Sequence, residues 1–166
     1  MKLEEAKEIA EKYVNLFRPY SRRIEIAGSI RRKKPEVKDI EIVMIRNTAK
    51  LAEFKEIVEK LQKVKGEAIG RYTQRILPEG IKLDLFFAIP ENWGNTFAIR
   101  TGSADYSHEI IAKGWVKAGY KSENGFLHKA GKVIPIFEEE ELFNLINVKM
   151  VDPEKREFGG KLELET

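Results

Sequence analysis

Apolar residues recur at helical spacing near the start of the chain. Leu3, Ala6, Ile9, Ala10, Tyr13, Val14 and Phe17 fall on one side of a helix over residues 3–17. Glu4 and Glu5 suit the positive end of its dipole, and Pro19 ends it. From Arg22 to Ser29 the period changes to two, with Ile24 and Ile26 alternating against Arg23 and Glu25, as on a strand. Lys33-Lys34-Pro35 reads as a turn, and Lys38 to Ile45 as the next strand. Both faces of that strand become apolar after Glu41, which predicts a central place in a covered sheet. Leu51, Phe54, Ile57, Val58 and Leu61 form one face of a helix over residues 49–64, closed by Gly66. Two short strands, 67–72 and 75–77, precede a Pro78-Glu79-Gly80 turn. Ile81 to Ile89 is the strongest strand in the chain, with Asp84 as its only acid.

A further helix starts at Pro90 to Trp93 and stops at Thr101-Gly102-Ser103, and another runs from Ala104 to about Lys117. Gly119, Gly125 and Gly131 punctuate three short strands, 120–122, 126–128 and 133–136. A last helix over 138–146 opens on the acidic run Glu138 to Glu141, and the polar tail after Pro153 is expected to fray. There is no internal repeat. The one seam lies near Gly102, which divides the chain into a first unit, 1–101, and a second, 102–166. The fold class is α+β: a mixed sheet with helices, followed by a small second α+β unit.

Composition narrows the picture. With 166 residues, 42% of them hydrophobic, the chain has enough apolar surface for a core and is not disordered. Charged residues make up 34%, but the net charge is only +3, which permits a nucleic-acid partner without requiring one. The absence of cysteine excludes disulfides, thiol nucleophiles and cysteine-based zinc sites. His108 and His128 are too far apart in sequence for a His-x-x-x-His metal pair. No apolar run approaches ~18 residues, and the start does not read as a signal peptide. A soluble intracellular protein without a membrane partner is therefore expected, cytoplasmic or else nucleoid-associated or viral; a monomer is the expected assembly.

The candidate chemistry lies in a few short stretches. Asp39 and Glu41 stand two apart and share a face if the segment is a strand. Asp84 interrupts an apolar strand, where an acid is costly unless paired. Three oxygen-donor acids without histidine or cysteine suit Mg²⁺ or Mn²⁺ rather than zinc. A plainer reading also stands: a solvated edge strand for Asp39 and Glu41, and pairing of Asp84 with Lys82. Gly28-Ser29, with Arg31 and Arg32 close behind, offers a small flexible backbone, a hydroxyl and positive charge, all suited to a phosphate. The run Arg31 to Lys34 also reads as a solvated loop. Thr101-Gly102-Ser103 is either a turn between helices or a backbone on which a flat ligand rests.

Taken in order, these stretches resemble the family X DNA polymerases, the polymerase beta-like nucleotidyltransferases. The resemblance runs through Gly28-Ser29-x-Arg31-Arg32, Asp39-Ile40-Glu41-Ile42, Lys82-Leu83-Asp84-Leu85, Trp93-Gly94 and Thr101-Gly102-Ser103. It continues through Gly119-Tyr120-Lys121, Asn124-Gly125, Val133-Ile134-Pro135, Glu139 to Phe143 and Pro153-Glu154-Lys155-Arg156. It implies a palm over 1–101 and a C-terminal thumb over 102–166. It also implies a DNA polymerase that adds deoxynucleotides to a DNA 3′-hydroxyl with two Mg²⁺ ions, Mn²⁺ as a substitute, in short-gap repair. Its partners would be gapped or primer-template DNA and a deoxynucleoside triphosphate. By the same resemblance Asp39, Glu41 and Asp84 are the metal-binding catalytic carboxylates. Gly28, Ser29 and Arg32 hold the triphosphate, Lys82 lies near the primer terminus, and Thr101, Gly102 and Ser103 lie beneath the nucleotide sugar.

The departures from the family pattern are specific. Glu41 stands where the family usually has aspartate, and Ile99-Arg100 where an aromatic pair usually crowds the sugar 2′ position. Ala104 and Ser107 replace an aspartate and an asparagine near the base. Weaker discrimination against ribonucleotides is the expectation. The lyase and helix-hairpin-helix segments found at the amino terminus of the family are not matched, so a minimal form is expected. Two other readings remain: a template-independent nucleotidyltransferase acting on RNA or protein, and a non-catalytic module that binds DNA ends.

Overall fold

The structure, a computed structural model, describes residues 1–158; the last part of the tail expected to fray lies outside the described residues. The chain divides into two compact units after Ile89. The seam expected at 101/102 lies instead at the far end of a helix of the second unit. That helix packs within the second unit, so the chain crosses over twelve residues earlier.

In the first unit α1 (Leu3–Phe17) buries Ala6, Ala10, Tyr13, Val14 and Phe17 along one stripe. A one-turn 3₁₀ helix at Arg18–Tyr20, with Pro19 early in it, leads into β1 (Ser21–Ile26). The strand stops short of the expected Ser29, because Gly28–Arg31 is a one-turn helix, α2. β2 (Asp39–Arg46) follows, and then α3 (Leu51–Glu59). β3 (Gln62–Gly66) occupies residues expected to finish α3, and β4 (Tyr72–Ile76) replaces the two short strands read around it. β5 (Lys82–Ala88) completes a five-stranded sheet of order β1-β2-β5-β4-β3. β2 and β5 are parallel neighbours, and the other pairings are antiparallel.

The register sets the two faces of the sheet. Ile40, Ile42 and Met44 of β2 and Leu83, Leu85 and Phe87 of β5 join α1 and Phe54 and Val58 of α3 in one core. Phe17, Phe54 and Phe87 meet edge-on in series, with centroids 5.6 and 5.7 Å apart. Strand alternation then sends Asp39, Glu41, Lys82 and Asp84 to the opposite face. Tyr13 of α1 donates to Glu79 at 2.8 Å and Lys12 donates to the same carboxylate at 2.8 Å, tying α1 to the β4–β5 turn. Desolvation, then the bond to Glu79 and its charge, push the Tyr13 phenol up to about 12.

The second unit begins at Pro90. Its elements are α4 (Trp93–Thr101), α5 (Ala104–Tyr106), a π-helical stretch at Ser107–Ala112, α6 (Lys113–Lys117), β6 (Lys121–Glu123), β7 (Phe126–Lys129), β8 (Lys132–Ile134) and α7 (Glu139–Leu145). The three strands form an antiparallel sheet in sequence order. Ala98, Tyr106, Ile111, Leu127, Ile136, Leu142, Phe143 and Ile146 form its core. Glu138 and Glu141 form a reciprocal capping box at the start of α7, which explains the acidic run there. No helix among the described residues is long and apolar enough to cross a membrane.

Candidate active site

The polar face of the first sheet gathers four of the residues singled out in the sequence, Asp39, Glu41, Lys82 and Asp84. Parallel pairing places Glu41 of β2 directly opposite Asp84 of β5, and Asp39 opposite Lys82. Asp84 is only 6% exposed. It meets the cost of burial through two neutral donors on β4: Tyr72 Oη at 2.6 Å and Gln74 Nε2 at 2.8 Å, both to Oδ1. These partners replace the pairing with Lys82 that the sequence left open. Sequence reading missed both, because it ended one strand at Tyr72 and began the next at Arg75. The run Tyr72-Thr73-Gln74-Arg75 has no apolar-polar alternation to mark a strand, and its pairing with β5 is non-local. Tyr72 is itself held by stacking on Phe86, with centroids 4.9 Å apart.

Asp39 is half-buried. Desolvation and then the charge of Asp84 raise its pKa, and Lys38 and Lys82 pull it back down. Two acids thus repel each other on one face of two adjacent strands. Among the described residues no three aspartate, glutamate or histidine side chains gather closely enough to hold a metal ion. The hydrogen bonds account for part of this. Tyr72 and Gln74 hold Asp84 toward β4, away from β2 on its other flank. The donors are all oxygens, the kind a hard divalent cation takes, and the charge of Asp84 acts on Asp39, offset in part by Lys38 and Lys82.

Gly28 opens α2 with φ +62°, in the left-handed region where glycine is strain-free. A Cβ there would lie 2.7 Å from Glu41 Cδ and 2.8 Å from its Oε2. The glycine backbone therefore rests against the Glu41 carboxylate, and the main chain is joined again where Ala27 N–H donates to Glu41 O at 2.8 Å. Ser29 and Arg32 lie within and just after α2, both partly exposed. The Gly-Ser turn and the acidic strand are thus one packed assembly. A cavity of about 460 Å³ lies at the start of β2 and β5, lined by Met1, Lys38, Asp39, Gly80 and Lys82 among others; Gly28, Ser29, Glu41 and Asp84 are not part of its lining.

Thr101, Gly102 and Ser103 belong to the second unit. Thr101 is fully buried, and its hydroxyl donates to Phe97 O at 2.7 Å. Gly102 has φ +72°, and the Gly102–Ser103 peptide is cis. Ser103 Oγ accepts from Tyr106 N–H and so caps α5. Ser103 N–H donates to Arg156 O at 3.0 Å. Arg156 is in turn buried against Glu139, with 2.6 Å between Nη1 and Oε2. The Thr101 hydroxyl is buried in the fold, whereas that of half-buried Ser103 accepts the cap bond and keeps its own O–H to donate.

The first unit is thus a mixed sheet with acids on adjacent parallel strands, beside a glycine-serine turn. Residues 97–157 match the family model described as DNA polymerase beta thumb. The structure is similar to that of Leishmania infantum polymerase beta, solved as a ternary P/T complex, with a TM-score of 0.73 at 15% identity. The match covers 95% of this chain and 77% of that one. No curated protein matches the chain by sequence. The fold is that of a family X polymerase-like nucleotidyltransferase, with a thumb of the polymerase beta type.

Proposed function

We propose that the protein is a family X DNA polymerase that adds deoxynucleotides to a DNA 3′-hydroxyl, with short gaps as its natural substrate. The observation that carries this reading is the in-register Glu41–Asp84 pair with Asp39 on the same face, backed by Gly28 against Glu41. The hydroxyl oxygen attacks the α-phosphorus of the triphosphate, the bond to the β-phosphate breaks, and pyrophosphate leaves. Gly28, Ser29 and Arg32 hold the triphosphate. Asp84, oriented by Tyr72 and Gln74 through Oδ1, presents Oδ2 to the attacking hydroxyl and takes its proton. Lys82 steadies the primer terminus. Asp39, Glu41 and Asp84 would hold two Mg²⁺ or Mn²⁺ ions, which when bound neutralise charge on the attacking and leaving oxygens.

A second reading, a non-catalytic module for DNA ends, draws on the separation of the three carboxylates. Primer extension on gapped DNA with each of the four template bases distinguishes these readings. Incorporation that follows the template base supports the polymerase. Incorporation indifferent to the template supports a template-independent transferase. DNA binding without incorporation supports the module.

A further inference from the structure

The alternation of β4 that turns Tyr72 and Gln74 toward Asp84 sends Thr73 and Arg75 to the other face of the sheet. Arg75 is only 2% exposed. Its Nε donates to Thr73 Oγ1 at 3.0 Å and its Nη1 to Leu61 O at 3.3 Å. Its Nη2 is buried and has no hydrogen-bond partner among the described residues. A guanidinium is always charged and carries five donors, so a buried one with an unused donor is costly.

Arg75 lines a cavity of about 600 Å³ together with Glu59, Lys60, Lys63 and Glu67. Both acids have partners: Glu67 pairs with Lys63, which also lines the cavity, and feels the charge of Arg75, while Glu59 pairs with Lys55 at 3.8 Å. Arg75 and Lys60 leave the cavity with an excess of positive charge. A phosphate presents several acceptor oxygens about one centre, and so accepts from a guanidinium and an ammonium together.

We propose that this cavity, behind the sheet and opposite the carboxylates, binds a phosphate group through Arg75 Nη2 and Lys60. The group is either free phosphate or a phosphodiester of a nucleic-acid backbone. The site is separate from the triphosphate cradle around Gly28 and Ser29, so it does not depend on the polymerase reading.

The test is a titration of the whole protein with sodium phosphate at constant ionic strength, followed by arginine side-chain ¹H–¹⁵N signals, with chloride as the control. The expected result is a saturable shift of the Arg75 Nε–H signal with phosphate and not with chloride. Lys60 is exposed, so Lys60→Ala should fold, and it should weaken the phosphate affinity several-fold, whereas Lys117→Ala should not. An unsaturable shift, an equal response to chloride, or unchanged affinity in Lys60→Ala overturns the proposal. Competition by an oligothymidylate without terminal phosphates would assign the ligand to a nucleic-acid backbone. Saturable binding without that competition would assign it to free phosphate.

Discussion

Glu41 is the residue on which the site turns most finely. Its carboxylate is wedged against the Gly28 backbone, so a single methyl group tests the arrangement. Alanine at Gly28 would sit in the left-handed region, which costs roughly 1–2 kcal/mol. Its Cβ would also displace the carboxylate 2.7 Å away. Gly28→Ala should therefore lower stability modestly and lower kcat/KM on the order of 100-fold. An activity loss no larger than the loss of folded protein in thermal unfolding would show that the contact is only structural.

Asp39 makes the opposite trade. Desolvation and Asp84 raise its pKa, so the fold favours its neutral form. Stability from this group is therefore lost as the pH rises from the unfolded value through the raised folded one. In metal-free buffer Asp39→Asn should raise Tm at pH 7, and the gain should shrink as the pH falls toward about 4. Calorimetry of both proteins across that range checks it; a lower Tm for the variant at pH 7 would contradict it. The same variant should lose metal-dependent activity.

At the scale of elements, Gly94 shows how tightly α4 is fitted in the second unit. Its N–H donates to Ile136 O at 2.9 Å, and a Cβ would fall 2.4 Å from Glu138 O. The obstacle is backbone, which cannot swing away, so Gly94→Ala should destabilise by about 1–3 kcal/mol. A urea midpoint unchanged from wild type would contradict that.

The elements also show what could be read from the sequence. The periodicity of α1 and the apolar runs of β2 and β5 were legible because each is set by its own residues. The end of α3 was not. Leu61 prolongs the helical apolar pattern, but Gln62–Gly66 pairs with β4, and Gly66 makes an approach where a Cβ would lie 2.0 Å from Tyr72 O. A non-local pairing overrode a local pattern. The same cause hid Tyr72 and Gln74, since their bonds to Asp84 depend on the β4–β5 register. The candidate acids were visible because an acid within an apolar run is conspicuous. The roles of Thr101 and Ser103 inside the fold were not, because spacing does not say which way a hydroxyl turns.

At the level of the whole molecule, the sequence motifs are divided between two compact units. The first carries the acids, the glycine-serine turn and Lys82, and the second carries the thumb match. With a net charge of only +3, any grip on DNA must come from local clusters of lysine and arginine, and binding should weaken steeply with salt. If the carboxylates are catalytic, nucleotide incorporation depends on both Mg²⁺ and Asp84. Single-nucleotide incorporation into gapped DNA should be followed with and without Mg²⁺, for the wild type and for Asp84→Ala checked to be folded. The expected result is incorporation that requires Mg²⁺ and falls at least about 1,000-fold in the variant. Incorporation that survives in folded Asp84→Ala, or its absence in the wild type with Mg²⁺ or Mn²⁺, would contradict the claim.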